Sequence, residues 1–170
     1  MNKTTKNVVT AAIVGALYAV LTIVLAPISY GPVQCRISEV LCILPFFMPC
    51  TTWGLFFGCA IANIASAAGL PDIIFGSLAT LMACLCIAWW GKRNKKVLAC
   101  LMPVVCNGLI VGAMLTVVIA GLNPVKNFGA FAVFAGQVAL GEAVVMFIAG
   151  LPLLSWLPKQ KFFADYVSRT

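Results

Sequence analysis

Histidine is absent from this chain of 170 residues, and only four side chains carry a carboxylate. Without histidine there is no imidazole general base and no His-containing metal set. The sequence also has no GxxxxGK(S/T) phosphate loop, no HExxH helix and no GxSxG elbow, which argues against an enzyme and against an ATPase site of its own. Eight cysteines (Cys35, Cys42, Cys50, Cys59, Cys84, Cys86, Cys100 and Cys106) form no CxxC pair and sit almost entirely inside apolar segments. They read as small buried hydrophobes, and no metal or cofactor is expected. Charge of either sign is scarce, at 9% of residues against roughly a quarter in a soluble domain.

What fills the chain is apolar: 63% hydrophobic residues and a mean hydropathy of +1.09. These values describe an integral membrane protein. A transmembrane helix takes about 20 apolar residues, so there is room for five or six spans and little outside the bilayer. The whole of residues 1–170 is expected to form one membrane domain. A net charge of +7 would suit a nucleic-acid partner, but the basic residues gather at helix ends without interleaved aromatics, the pattern of topology signals. No nucleic-acid partner is expected.

Taken in order, the chain reads as an all-α bundle of six transmembrane helices. Lys3 and Lys6 ahead of an apolar run resemble a signal peptide, but Val8 to Ala26 is longer than an h-region and is read as a retained helix 1. On it, Ala12 and Ala16, or Ala11, Gly15 and Ala19, form small-residue stripes that let another helix approach closely. Gly31 and Pro32 stop this pattern, and the rest of the chain is organised around the polar stretch from Gly31 to Glu39. Helix 2, Glu39 to Met48, is short and broken by Pro45 and Pro49. Helix 3, Thr52 to Ala68, carries the GxxxG pair Gly54 and Gly58, with Asn63 turned away from that stripe. Asp72 is placed to N-cap helix 4, Ile73 to Trp90. Helix 5, Val97 to Ala120, holds Asn107 and a second GxxxG, Gly108 and Gly112. Helix 6, Phe128 to Leu151, holds Gln137 and Glu142.

With a cytoplasmic N-terminus, Lys3, Lys6, the four basic residues of Lys92–Lys96, Lys159, Lys161 and Arg169 fall inside, and only Arg36 and Lys126 fall outside. Nine against two fits the positive-inside bias, and an even number of spans returns the C-terminus to the cytoplasm. The recurrence of Ile13-Val14-Gly15-Ala16 as Ile110-Val111-Gly112-Ala113 relates helix 1 to helix 5, which no 3+3 repeat would do, and is read as shared composition.

A charge at membrane depth costs ~2.5–3.5 kcal/mol on insertion scales, so intramembrane polar groups mark function. Here they are Glu39, Asn63, Asp72, Asn107, Gln137 and Glu142, with Gln34 and Arg36 in the first outer loop. Three of the four carboxylates fall in or beside spans, which suits a ligand bearing donors or positive charge. An internal hydrogen-bond network is the rival reading.

The segment Ala26-Pro27-Ile28-Ser29-Tyr30-Gly31-Pro32-Val33-Gln34-Cys35-Arg36-Ile37-Ser38-Glu39, followed by Leu44-Pro45-Phe46-Phe47, resembles the QueT family. So do Asp72-Ile73-Ile74-Phe75-Gly76-Ser77-Leu78-Ala79-Thr80, Pro103 to Gly112 and Gly141-Glu142. The resemblance implies a substrate-binding S component of an energy-coupling-factor transporter in the cell membrane, partnered by a transmembrane T component and two ATPase subunits. It implies docking through helix 1, where Ala12, Gly15 and Ala16 match. The cargo it implies is a queuosine precursor or related 7-deazaguanine, such as 7-aminomethyl-7-deazaguanine, queuine or queuosine.

The residues suit a purine-like cargo on chemical grounds. A guanine-like edge offers adjacent N–H donors to a carboxylate and a carbonyl to Asn, Gln or Arg, while a cationic aminomethyl group calls for a second carboxylate. Glu39 or Glu142 is assigned to the base edge, and the other, or Asp72, to the amine. Asn63, Asn107 and Gln137 take the remaining polar atoms. Arg36 is expected to order the loop by pairing with Glu39, and Tyr30 to stack on the ring or anchor at the interface. Alternatives are an S component for another vitamin or nucleobase, a proton-coupled solute carrier relaying through Glu142, and a purely structural membrane subunit.

Overall fold

Long apolar runs with few breakers give helices, and every regular element among the described residues is helical. The computed structural model describes residues 2–30 and 35–168. The expected stop at Gly31-Pro32, Gln34 and the basic Arg169 lie outside the described residues. The helices are α1, Lys3–Val24, followed by a single helical turn at Ala26–Ser29; α2, Ile37–Phe46; α3, Thr51–Ala62, which tightens through Asn63–Ala65; α4, Asp72–Gly91; α5, Lys96–Val118; α6, Phe128–Lys159; and α7, Lys161–Ser168. Four of these, α1, α4, α5 and α6, are long and apolar enough to cross a membrane.

Helix α2 is a 3-10 helix. At about 2 Å per residue its ten residues reach roughly 20 Å, short of a ~30 Å hydrocarbon core. Three residues per turn align Glu39, Cys42 and Pro45 on one buried face. The α6 segment extends past the expected end at Leu151. Pro152 follows a wide π stretch, Val144–Gly150, and stands at the start of a fresh α turn, where its missing N–H is tolerated. Helix α7 was not expected from the sequence. Its Phe163 and Tyr166, three residues apart, share a face that packs on the bundle, while Phe162 is 84% exposed.

Small residues fix the two closest helix pairs. A Cβ on Gly54 would fall on the backbone of Ala11, and one on Gly58 would fall on the backbone of Gly15, so α1 and α3 run side by side in the same direction. Gly112 lies on Ala135 and Gly108 on Ala139, which sets α5 antiparallel to α6. Both glycine pairs predicted from the sequence therefore carry helix contacts. The interior is filled by Tyr18, Cys42, Leu55, Cys59, Cys84 and Ile87, with a second cluster of Ile43, Cys100, Met146 and Leu154. Ile13, Leu17, Trp53, Phe57, Ile61 and Leu85 point outward, an apolar exterior suited to lipid rather than water.

The two ends of the bundle differ. Lys6 Nζ donates to the Tyr166 carbonyl at 3.1 Å, the Thr10 and Tyr166 hydroxyls meet at 2.6 Å, and Phe47 and Phe163 stack edge to face at 5.3 Å. The start of α1 and helix α7 thus share one end with the α4–α5 turn, since Gly91 abuts the Phe46 backbone. That end carries Lys3, Lys6, Lys92, Arg93, Lys95, Lys96, Lys159 and Lys161.

Candidate functional site

From the opposite end down to mid-helix, the interior turns polar. Of the seven residues singled out from the sequence as ligand-binding, Arg36, Glu39, Asn63, Asp72, Asn107 and Glu142 are buried, at 0–4% exposure, and Gln137 is half-buried.

Glu39 sits in the first turn of α2, facing α1 and α4. Its Oε1 accepts from the Tyr18 hydroxyl at 2.5 Å and from Thr80 Oγ1 at 3.4 Å, and its Oε2 accepts from the Cys42 thiol at 3.0 Å. Beside it, the hydroxyls of Thr22 and Ser38 meet at 2.6 Å. Two polar ties therefore bind the second half of α1 to the start of α2.

Arg36 pairs with Asp72, Nη2 to Oδ2 at 3.1 Å and to Oδ1 at 3.4 Å. This corrects two expectations. Arg36 does not pair with Glu39, and Asp72 does not cap α4 through its side chain. The opening turn of α4 is a wide π turn that carries the carboxylate inward. An ion pair inside the protein competes successfully with a solvent-side cap because an unpaired buried arginine would be far costlier.

Asn63 Nδ2 donates to the Asp72 carbonyl at 2.9 Å and lies 3.5 Å from Cys59 Sγ. Gly76, one turn beyond Asp72, leaves room for this contact. A Cβ there would stand 2.6 Å from Asp72 Oδ1 and 2.7 Å from Asn63 Nδ2. Tyr30 donates its hydroxyl to the Ala62 carbonyl at 2.6 Å, and the Arg36 guanidinium lies 5.4 Å from its ring centre. Burial pushes the Tyr30 hydroxyl above its usual range despite the opposing charge of Arg36, which keeps it a donor.

Deeper in, Asn107 Nδ2 donates to Glu142 Oε1 at 2.9 Å, joining α5 to α6. The Gln137 side chain has no hydrogen bond among the described residues. Five residues before Glu142, it stands about 140° around the helix from it and is not drawn into the cluster.

Among the described residues, three ligand-capable atoms of this set are buried without a hydrogen-bond partner: Arg36 Nε, Asn63 Oδ1 and Glu142 Oε2. Leaving such a group unpaired costs about 1–3 kcal/mol, and more when it is charged.

The helix 1 stripe divides. Gly15 is covered by Gly54 and Gly58, while Ala12 and Ala16 stay exposed along a groove of about 530 Å³ walled by Trp53, Phe57 and Ile61. A second apolar cavity of about 580 Å³ lies between α4 and α5 near Pro71, Phe75 and Pro124. Neither includes any of the seven polar residues.

Sequence reasoning missed Tyr18, Thr22, Ser38, Cys59 and Thr80, which complete the cluster. A signal was present. Tyr18 and Thr22 are four residues apart on an otherwise apolar helix, so both fall on one face.

The sequence model described as QueT transporter matches residues 8–159. A curated protein of Lactococcus lactis subsp. cremoris (strain MG1363), the queuosine precursor transporter QueT, is 44% identical over 80 residues. The match covers 46% of this chain and 47% of that relative, about half the length of each. No solved structure matches.

Proposed function

The chain belongs to the QueT transporter family and is a multi-pass protein of the cell membrane, and from that premise we propose that it captures a queuosine precursor for uptake. In this reading it is the S component of an energy-coupling-factor transporter, one membrane domain over 1–170. Helices α1 to α6 serve as six membrane segments, with α2 and α3 completed by their flanking turns, and both termini lie in the cytoplasm. The lysine-bearing end then faces the cytosol and the polar end faces outward. The observation that carries the proposal is the burial of six charged or amide side chains, from five separate stretches of chain, inside a bundle whose exterior is apolar.

The cargo is a 7-deazaguanine such as 7-aminomethyl-7-deazaguanine, queuine or queuosine. Asn63, Asn107 and Arg36 would meet its polar edge, with Glu142 beside one of its polar groups, Asp72 and Glu39 inside the same wall and Gln137 at its margin. ATP would be hydrolysed by two separate subunits. A transmembrane T component would dock on α1 at Ala12 and Ala16, with Gly15 holding α1 against α3 behind them.

Thermal stabilisation of the purified protein by a panel of 7-deazaguanines and vitamins tests the cargo. A ligand that binds only the folded state stabilises it by RT ln(1 + [L]/Kd), about 2.7 kcal/mol at one hundred times Kd. Stabilisation by a vitamin alone would move the chain to another S-component cargo. Glu142, a buried carboxylate with one unpartnered oxygen, favours a proton-coupled carrier as the second reading. Uptake by this chain alone in liposomes, lost in Glu142→Gln, would establish that reading. Co-purification with ATPase subunits would instead support the first.

A further inference from the structure

Among the described residues, four charged side chains lie inside the bundle: Arg36, Glu39, Asp72 and Glu142. They carry one positive and three negative formal charges. Arg36 and Asp72 neutralise one another at 3.1 Å, and no cation among the described residues pairs with either glutamate. The two glutamates differ in how far they are satisfied. Both Glu39 oxygens are taken, by Tyr18, Thr80 and Cys42. Among the described residues, Glu142 has one donor, Asn107 on Oε1, and its Oε2 is buried with none.

A second buried acceptor, Asn63 Oδ1, is also unmatched, against a single unmatched donor on these charged and amide groups, Arg36 Nε. The open inventory is therefore rich in acceptors and short of positive charge. A buried carboxylate with one neutral donor is best completed by a group that brings both N–H bonds and a charge.

We infer that Glu142 is the counter-ion for a protonated amine on the cargo, and that Glu39 is a positioning residue tying α1, α2 and α4 together without touching the ligand. The assignment rests on the 7-deazaguanine reading proposed for the cargo, in which the amine is the aminomethyl substituent. A neutral substituent at the same place leaves Glu142 without its cation.

The test compares 7-aminomethyl-7-deazaguanine with the neutral 7-cyano-7-deazaguanine by calorimetric titration of the purified full chain. Wild type should bind the amine ~10–100-fold more tightly, the range of a charge-assisted hydrogen bond. Glu142→Gln should collapse that ratio to within about threefold. Glu39→Gln should weaken both compounds by the same factor and leave the ratio intact, which sets a positioning role apart from a contact.

Equal wild-type affinities, or a ratio that survives Glu142→Gln, overturn the Glu142 assignment alone. Failure of both compounds to bind wild type overturns the cargo reading and this assignment with it. Equal wild-type affinities overturn the assignment even where a variant does not fold.

Discussion

The two halves of α1 hold the bundle by different means. From Ala11 to Gly15 the helix meets α3 backbone against backbone, and on its outer side Ala12 and Ala16 stay bare. From Tyr18 to Thr22 it is held by hydroxyl bonds to Glu39 and Ser38. In lipid, apolar side chains gain little by leaving an equally apolar solvent, so helices associate by close approach of small residues or by polar pairing. This helix uses one device in each half. The half with small residues leaves a smooth face toward lipid, and the half with hydroxyls leads into the charged interior.

That contrast can be broken at either end. The largest effect is expected in the polar half. Arg36→Leu strands Asp72 as an unpaired buried charge and should cost about 3–5 kcal/mol of stability. Adding Asp72→Leu should recover most of the loss, and a double variant no more stable than the single would show that the pair is not compensating. Next comes the small-residue half. Gly54→Leu forces a side chain onto the Ala11 backbone and should cost about 1–3 kcal/mol or more, read as a lower Tm in detergent. An unchanged Tm would refute the close approach.

Tyr18→Phe removes the 2.5 Å bond to a fully buried carboxylate and should cost about 1–3 kcal/mol. A neutral outcome would mean that Glu39 is held by its other donors. Smallest of all, Ala12→Leu with Ala16→Leu changes exposed positions and should move stability by no more than about 0.5 kcal/mol. Ligand binding should persist in that variant while uptake in cells stops, and uptake at the wild-type rate would remove α1 as the docking face.

Much of the fold was legible because its causes are local. Apolar runs bounded by Gly69, Gly121 and the basic turn gave the helix positions, and the pairs Gly54/Gly58 and Gly108/Gly112 marked two interfaces. The end of α6 was misplaced at Leu151 because a π stretch ahead of Pro152 lets the proline begin a new turn, and that widening has no sequence mark. The site was legible in its residue types, since charged and amide groups in a membrane interior need partners wherever they fall. Their pairing was not. Arg36 lies three residues from Glu39 yet reaches Asp72, thirty-six positions along the chain, because Tyr18, Cys42 and Thr80 have already filled the Glu39 carboxylate. Competition of that kind is settled by three-dimensional neighbours and not by spacing.

The most direct test of the central claim, that the buried polar end is where the cargo binds, is titration of the purified protein with 7-aminomethyl-7-deazaguanine beside an Asn63→Ala variant of verified helical content. Saturable one-to-one binding is predicted for wild type, weakened about tenfold in the variant by loss of the Asn63 acceptor. No binding to wild type, or an unchanged Kd in the variant, would contradict it.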